Sequence, residues 1–424
     1  MNLRPFFWNI SLMVVLIPFF TYAQDTTQYV IQGRFNSPEQ QNKPYVIMIS
    51  ADGFRYDLAD KYNAVFLKRK RGEGVMAQSM QPSFPSMTFP NHYTLVTGLY
   101  PAHNGIVSNT FYSDHGKFRY TMSDRRAVTN PKWYGGIPLW VLAEKQQMLS
   151  ACFYWVGSEA EIDSTFPTYY YHYNEAIPIE RRLDIVRDWL QLPPERRPHM
   201  ITFYLPEVDH MEHKYGVTND SVEEAVQFVD HAVKRMNEIT DSLGLPVNYI
   251  FVSDHGMMDI DTANPILVNR LVDTSKFVAG FNSTIIHLYA KNPKYIKKAY
   301  RELKQNANGY EVFLKKNTPK RWHYRTKDDY FDRLGDIMLV SDPGKVFAFS
   351  KGRVSAGNHG FDNAIPQMQA TFYAWGPAFK NNLIIPRFTN VNVYPLIAQI
   401  LGLQLMNTVD GKIDVLKNTL KDDK

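Results

Sequence analysis

Three short apolar runs, at residues 45–50, 200–205 and 248–253, are continuous, and each leads to an aspartate: Asp52, Asp209 and Asp254. A strand with one wet face alternates apolar and polar residues, whereas a strand covered on both faces reads as an unbroken apolar run. Helical periodicity over residues 179–190 and 222–243 separates the runs. The chain is thereby constrained to an α/β fold with a mostly parallel central sheet and helices on both faces. Ligands of such sheets bind outside the carboxyl ends of the strands, so the three aspartates are expected at one mouth. Between residues 263 and 350 the pattern changes to a β-branched run at 284–289, a basic helical stretch at 295–306, and strands within "YEVFLKK" and "DIMLVSD". That stretch is expected to be an inserted, smaller α+β lobe whose Lys and Arg residues form a solvated face. The principal domain is then 44–262 with 351–424, and 24–43 reads as an N-terminal linker.

Arg4 precedes an apolar stretch at 5–20 broken only by Asn9 and Ser11, followed by Thr21, Tyr22 and Ala23. This is the pattern of a secretory signal over residues 1–23, leaving no stable membrane span once cut, although the stretch approaches the length of a membrane anchor. Cys152 is the single cysteine, so no intramolecular disulfide forms, and its apolar surroundings make it a buried small hydrophobe. The expected location is secreted or periplasmic. Lys and Arg total 47 against 42 Asp and Glu, an excess too small to indicate nucleic acid as a partner. The sequence sets no oligomeric state.

Around the three aspartates lie imidazoles. His213 is four residues after Asp209, His255 follows Asp254, and His359 stands in Gly357-Asn358-His359-Gly360. Six oxygen and nitrogen donors without cysteine suit zinc or a similar divalent ion, and six are too many for one open tetrahedral site, so the count fits two metals. Asp209 and His213 share one helix face, as two ligands of one ion do, but a surface hydrogen-bonded couple has the same spacing, and His210 also faces His213. Pro90 fits the first turn of a helix over residues 88–98 and places Thr88 near its N-terminus. There free backbone N–H groups favour an anion such as phosphate; a plain N-cap is the alternative role for Thr88.

The stretches "ISADGFRYD", "PSFPSMTFPNHYTLVTGLYPAHNGIVSNTFY", "YWVGSEAEI", "PEVDHMEHKYG", "FVSDHGM" and "GNHGFDN" resemble, in type and in order, the signature blocks of the nucleotide pyrophosphatase/phosphodiesterase family of the alkaline phosphatase superfamily. The resemblance implies an alkaline-phosphatase-like fold with residues 44–262 and 351–424 as the catalytic domain. It implies two Zn2+ or similar ions, one held by Asp209, His213 and His359, the other by Asp52, Asp254, His255 and the Thr88 oxygen. It implies that Thr88 attacks phosphorus, giving a phosphothreonine that water then hydrolyses. The Phe89 N–H and the Asn109 amide would donate to a phosphoryl oxygen, and Phe89, Tyr204 and Trp155 would form a slot for a nucleobase.

The small-molecule substrate implied is a nucleotide phosphodiester or pyrophosphate, cleaved to a nucleoside 5′-monophosphate. Related monoesterases carry Lys and Arg in the loop where this chain has Glu159 and Glu161, which favours a singly charged diester. Many family members have Pro where this chain has Val156. Secreted animal members are cysteine-rich, so one cysteine suits a bacterial exported enzyme. The alternatives are a choline-phosphate or lysophospholipid diesterase, a monoesterase of the superfamily, and a non-catalytic phospho-ligand binding protein.

Overall fold

A computed structural model describes residues 26–352 and 354–422. The signal segment expected over 1–23 lies outside the described residues. The strands of the main sheet are β1 (Gln28–Val30), β2 (Tyr45–Ala51), β3 (Val75–Ala77), β4 (Ser150–Phe153), β5 (Tyr169–Tyr171), β6 (Met200–Leu205), β7 (Val247–Val252), β8 (Phe372–Trp375) and β9 (Leu383–Ile385). They lie in the order β1-β5-β4-β6-β2-β7-β8-β3-β9. The five strands from β5 to β7 are mutually parallel, as is the β3–β9 pair. The β1 and β8 pairings are antiparallel. The segment 24–43, read from sequence as a linker, is therefore corrected: three of its residues form the edge strand that pairs with β5.

Both faces of the sheet are covered, which is why its strands are apolar throughout. Along β2, Val46 and Met48 face one buried core while Tyr45, Ile47, Ile49 and Ala51 face the other. The first core is covered by α1 (Thr88–Thr97) and the helices Leu139–Lys145 and Val393–Leu401. The second is covered by the helices Val65–Glu73, Ile179–Leu190 and Asp220–Ser242.

A separate four-stranded antiparallel sheet takes Phe277–Phe281, Ile285–Ala290, Ile337–Ser341 and Tyr310–Leu314 in that order. The helix Ile296–Gln305 packs on it over its own apolar core, with Lys297, Lys298 and Arg301 exposed. This sheet is fastened to the loop after α1. The Asn282 amide both accepts from the Thr110 N–H and donates to the Thr110 carbonyl, each at 2.9 Å, and the Tyr324 hydroxyl donates to the Val107 carbonyl at 2.5 Å. Among the described residues no helix is long and apolar enough to cross a membrane.

Candidate active site

The three aspartates arrive together because their strands are parallel neighbours. Asp52 follows β2 directly, Asp254 lies two residues past β7, and Asp209 sits in α2 (Glu207–Tyr215), which starts two residues after β6. Asp52, Asp209 and Asp254 are all buried. The adjacent segment that carries His359 includes the short strand Gly357–Asn358, and it reaches α2 only because residue 357 is glycine: a Cβ there would stand 2.4 Å from the Glu212 carbonyl oxygen.

Two convergences of donor atoms result. His255 Nε2 lies 2.9 Å from Asp254 Oδ2, 3.5 Å from Asp52 Oδ1 and 3.3 Å from Thr88 Oγ1. His213 Nε2 and His359 Nε2 lie 3.5 and 3.7 Å from a single oxygen, Asp209 Oδ1. His255 also stands between the two, its ring stacked on His359 with centroids 3.6 Å apart, and its ligand atom groups with those of Asp209 and His359 as well as with Asp52 and Asp254.

The protonation pattern of this cluster fits metal ions. The Nδ1 atoms of His213, His255 and His359 face the carbonyls of Gly357, Gly256 and Ser86 at 2.9, 3.0 and 3.0 Å. A carbonyl only accepts, so each Nδ1 carries a proton and each Nε2 is the atom turned toward the carboxylates, where its lone pair is open to a cation. Asp52 Oδ1, Asp209 Oδ1 and Asp254 Oδ2 are buried oxygens without a hydrogen-bond donor. Lone pairs facing buried carboxylates at these distances call for a cation between them. Burial, with Asp254 and Asp209 beside it, pushes the Asp52 carboxyl well above its usual range. Burial alone would raise Asp254 and lower His255, but their mutual contact, with His92 beside Asp254, holds Asp254 well below its usual range and raises His255, so a positive charge belongs between them. Burial, reinforced by His255 and His213, keeps the His359 ring neutral by pushing it well down. Carboxylate oxygens and imidazole nitrogens are the set that zinc takes.

Thr88 is the first residue of α1, and the N-cap position belongs to Met87, whose backbone is extended. The plain N-cap role for Thr88 is thereby removed: its hydroxyl turns to His255 and into the cluster. The helix ends where the sequence places it, with Gly98 in the left-handed conformation at φ 65°.

Of the other expected site residues, Phe89, Trp155 and Tyr204 line the pocket beside Thr88, and Asn109 bonds Phe89. The Phe89 N–H donates to Asn109 Oδ1 at 3.1 Å, so the two groups expected to donate side by side are bonded to each other, leaving the Asn109 Nδ2 as the free donor of the pair. Trp155 is 2 % exposed and its indole N–H donates to the His92 carbonyl, and it is among the residues that line the pocket. The Tyr204 hydroxyl donates to Asp52 Oδ2 at 2.5 Å, which ties that ring to the carboxylate cluster.

His92, which has no carboxylate neighbour in the sequence to mark it, also lies among these groups. Its Nε2 is 2.8 Å from Ser50 Oγ, and its Nδ1 is 3.0 Å from the Thr88 carbonyl and 3.3 Å from Asp254 Oδ2. Its spacing of four from Thr88 on one helix face was the signal available.

A pocket of about 430 Å3 opens beside Thr88, Asp52 and Asp209. Phe89, Tyr204, Tyr154 and Tyr173 line it, with Glu159, Glu175, Arg125 and His210. Tyr173 and Tyr154, which no sequence motif marks, add to the aromatic wall that Phe89, Tyr204 and Trp155 also line. Arg125 is the one Lys or Arg among its lining residues, and it stands 3.0 Å from Glu159. Glu161 is exposed and lies outside the pocket lining.

Comparison with known proteins agrees with this geometry. The family model described as type I phosphodiesterase/nucleotide pyrophosphatase matches residues 46–362. Rat ectonucleotide pyrophosphatase/phosphodiesterase family member 1 is 33 % identical over 382 residues, covering 86 % of this chain and 42 % of that protein. Venom phosphodiesterase 2 of Crotalus adamanteus is 31 % identical over 385 residues, covering 85 % of this chain and 45 % of the venom protein. The chain thus spans less than half the length of these relatives. Among solved structures, murine ectonucleotide pyrophosphatase/phosphodiesterase 5 superposes with a TM-score of 0.83 at 27 % identity, over 89 % of this chain and 100 % of that one. An inactive variant of the same murine protein, in complex with AMP, superposes equally well.

Proposed function

The chain belongs to the type I phosphodiesterase/nucleotide pyrophosphatase family, and on that footing we propose that it is an exported, metal-dependent phosphodiesterase that cleaves nucleotide phosphodiester or pyrophosphate bonds to nucleoside 5′-monophosphates. The observation that carries this reading is the Thr88 hydroxyl, at the first turn of α1 and 3.3 Å from His255 Nε2, where the donor cluster meets the aromatic pocket.

Asp52, Asp254, His255 and Thr88 Oγ1 would hold one ion and Asp209, His213 and His359 the other, with zinc the proposed metal. When bound, such ions lower the pKa of a hydroxyl or water and offset charge on phosphoryl oxygens. Thr88 Oγ1 attacks phosphorus in line, the leaving alkoxide or phosphate departs, and the nucleoside phosphoryl group stays on Thr88 until water releases it. Asn109 Nδ2, held by the Phe89 N–H on its partner oxygen, donates to a non-bridging phosphoryl oxygen. His92 orients Asp254 and the Thr88 carbonyl together. The nucleoside occupies the pocket, with the half-exposed faces of Phe89 and Tyr173 for the base. The pocket's one guanidinium is spent on Glu159, which leaves no free cation for the second charge of a monoester.

One observation favours a second reading, the choline-phosphate diesterase. The pocket's tyrosines together with Glu159 and Glu175 also suit a quaternary ammonium group. The test is to strip metal by chelation, restore zinc, and compare turnover of a nucleotide 5′-diester, a lysophospholipid and an aryl phosphate monoester. The expected outcome is loss of activity on chelation, recovery with zinc, and the nucleotide diester turned over fastest. Full activity after exhaustive metal removal, or faster turnover of the monoester, contradicts the proposal.

A further inference from the structure

Tyr173 stands on the loop between β5 and the helix Ile179–Leu190, and its side chain lines the pocket while 42 % of the residue remains exposed. A ring so exposed on a loop has several rotamers open to it, yet this one is held at both ends. Its backbone N–H donates to Glu159 Oε1 at 2.8 Å, and its hydroxyl donates to Glu175 Oε1 at 2.6 Å. Each of those carboxylates has a second tie: Glu159 Oε2 lies 3.0 Å from Arg125 Nη1, and Glu175 Oε2 lies 3.6 Å from His210 Nδ1. His210 follows Asp209 on α2, so the chain of contacts runs from the pocket wall to the helix that also carries His213. Tyr154 and Tyr204 flank the ring, with centroids 5.3 and 6.1 Å away.

Resting on the nucleotide reading above, we infer that Glu175 is a positioning residue for nucleoside binding: by accepting the Tyr173 hydroxyl while leaning on His210, it fixes the aromatic wall of the pocket relative to α2. The physical argument is preorganisation. A hydrogen bond to a carboxylate is among the stronger ones available to a phenol. A ring already immobilised loses no rotamer freedom when a base packs against it, whereas a released ring must be ordered at binding. The effect belongs to binding of the retained nucleoside and not to the step at phosphorus, so it appears in KM rather than kcat. The exposed position of Glu175 means its replacement leaves the buried core untouched.

The test uses zinc-loaded full-length protein and AMP as the titrated probe, alongside kinetics on a nucleotide 5′-diester and on bis(p-nitrophenyl) phosphate. Glu175→Ala and Tyr173→Phe are expected to weaken AMP binding and raise KM for the nucleotide diester by about 3- to 10-fold, the size expected for one ordered side chain, with kcat close to wild type. Glu175→Gln keeps a carbonyl oxygen that accepts the phenol and is expected to bind AMP within about twofold of wild type. The ratio of nucleotide to aryl diester kcat/KM is expected to fall in Glu175→Ala and to hold in Glu175→Gln. Wild-type AMP affinity in Glu175→Ala, equal weakening in Glu175→Gln, or a parallel loss on the aryl diester overturns the inference while leaving the nucleotide reading intact. A wild-type protein that cleaves the aryl diester but neither binds AMP nor cleaves the nucleotide overturns that reading, and the inference with it.

Discussion

Thr88 and His92 are two residues on one face of α1, and they separate what a motif reveals from what a structure reveals. The position of Thr88 was legible because its hydroxyl, the nearby Pro90 and the distant carboxylates suggest one cluster, and its hydroxyl does turn to His255. Its variant Thr88→Ala is expected to lose about 10^4-fold or more in turnover, the usual scale for removing a nucleophile, with an unchanged melting temperature. Retention of turnover within tenfold of wild type in a steady-state assay would remove Thr88 from its role. His92 was not legible, since a lone buried histidine has no chemical signature until its neighbours are known. Because it bonds the Thr88 carbonyl and stands 3.3 Å from Asp254 Oδ2, His92→Phe is expected to lower kcat by about 10- to 100-fold through loss of orientation of Thr88 and Asp254, with little change in KM. Tyr204 and Trp155, read from sequence order as part of a base slot, do line the pocket, but each also has a polar partner that the sequence does not show. The Tyr204 hydroxyl bonds Asp52 and the Trp155 indole is buried against α1, partnerships that depend on three-dimensional placement alone. Tyr204→Phe is accordingly expected to weaken zinc affinity measured by competitive chelation, since Asp52 loses the donor that orients it.

At the scale of elements, the parallel strands were legible because burial on both faces leaves an apolar run, and the aspartates at their ends followed. The edge strand Gln28–Val30 was not, since three half-buried residues carry no period. The antiparallel sense of β8 was equally hidden, because direction is a property of the connection and not of the strand. In the lobe, the strand Ile285–Ala290 carries His287, whose Nδ1 accepts the Gly335 N–H at 3.2 Å and is therefore unprotonated. Burial, with Lys315 adding to it, pushes this imidazole down to about 3 from an ordinary 6.5. The folded-state value lies below the unfolded one, so the stability it contributes is present above pH of about 6.5 and is lost as pH falls toward 3, at up to about 1.4 kcal/mol per pH unit. Thermal unfolding followed from pH 7 to pH 4 should show a shallower loss for His287→Gln than for the wild type, and superimposable slopes would show that His287 titrates freely.

For the whole molecule, the second sheet matters because of where it is fastened. Asn282 bonds both backbone groups of Thr110, the neighbour of Asn109, so the second sheet holds the segment whose Asn109 Oδ1 accepts from the Phe89 N–H. Nothing in the sequence of residues 263–350 announces this, since the contact joins two positions 172 residues apart. Asn282→Ala leaves two backbone groups without their partner and is expected to cost about 1–3 kcal/mol in chemical denaturation while lowering kcat more than it raises KM. A full loss of stability with unchanged kinetics would make the lobe a scaffold only. The central claim is that two in-line displacements occur, the first on Thr88 and the second by water. Each displacement inverts phosphorus, so a nucleotide diester made chiral with sulfur and hydrolysed in isotopically labelled water is predicted to give a nucleoside 5′-phosphorothioate with net retention of configuration. Net inversion would mean that water attacks the substrate directly and that no phosphothreonine is formed.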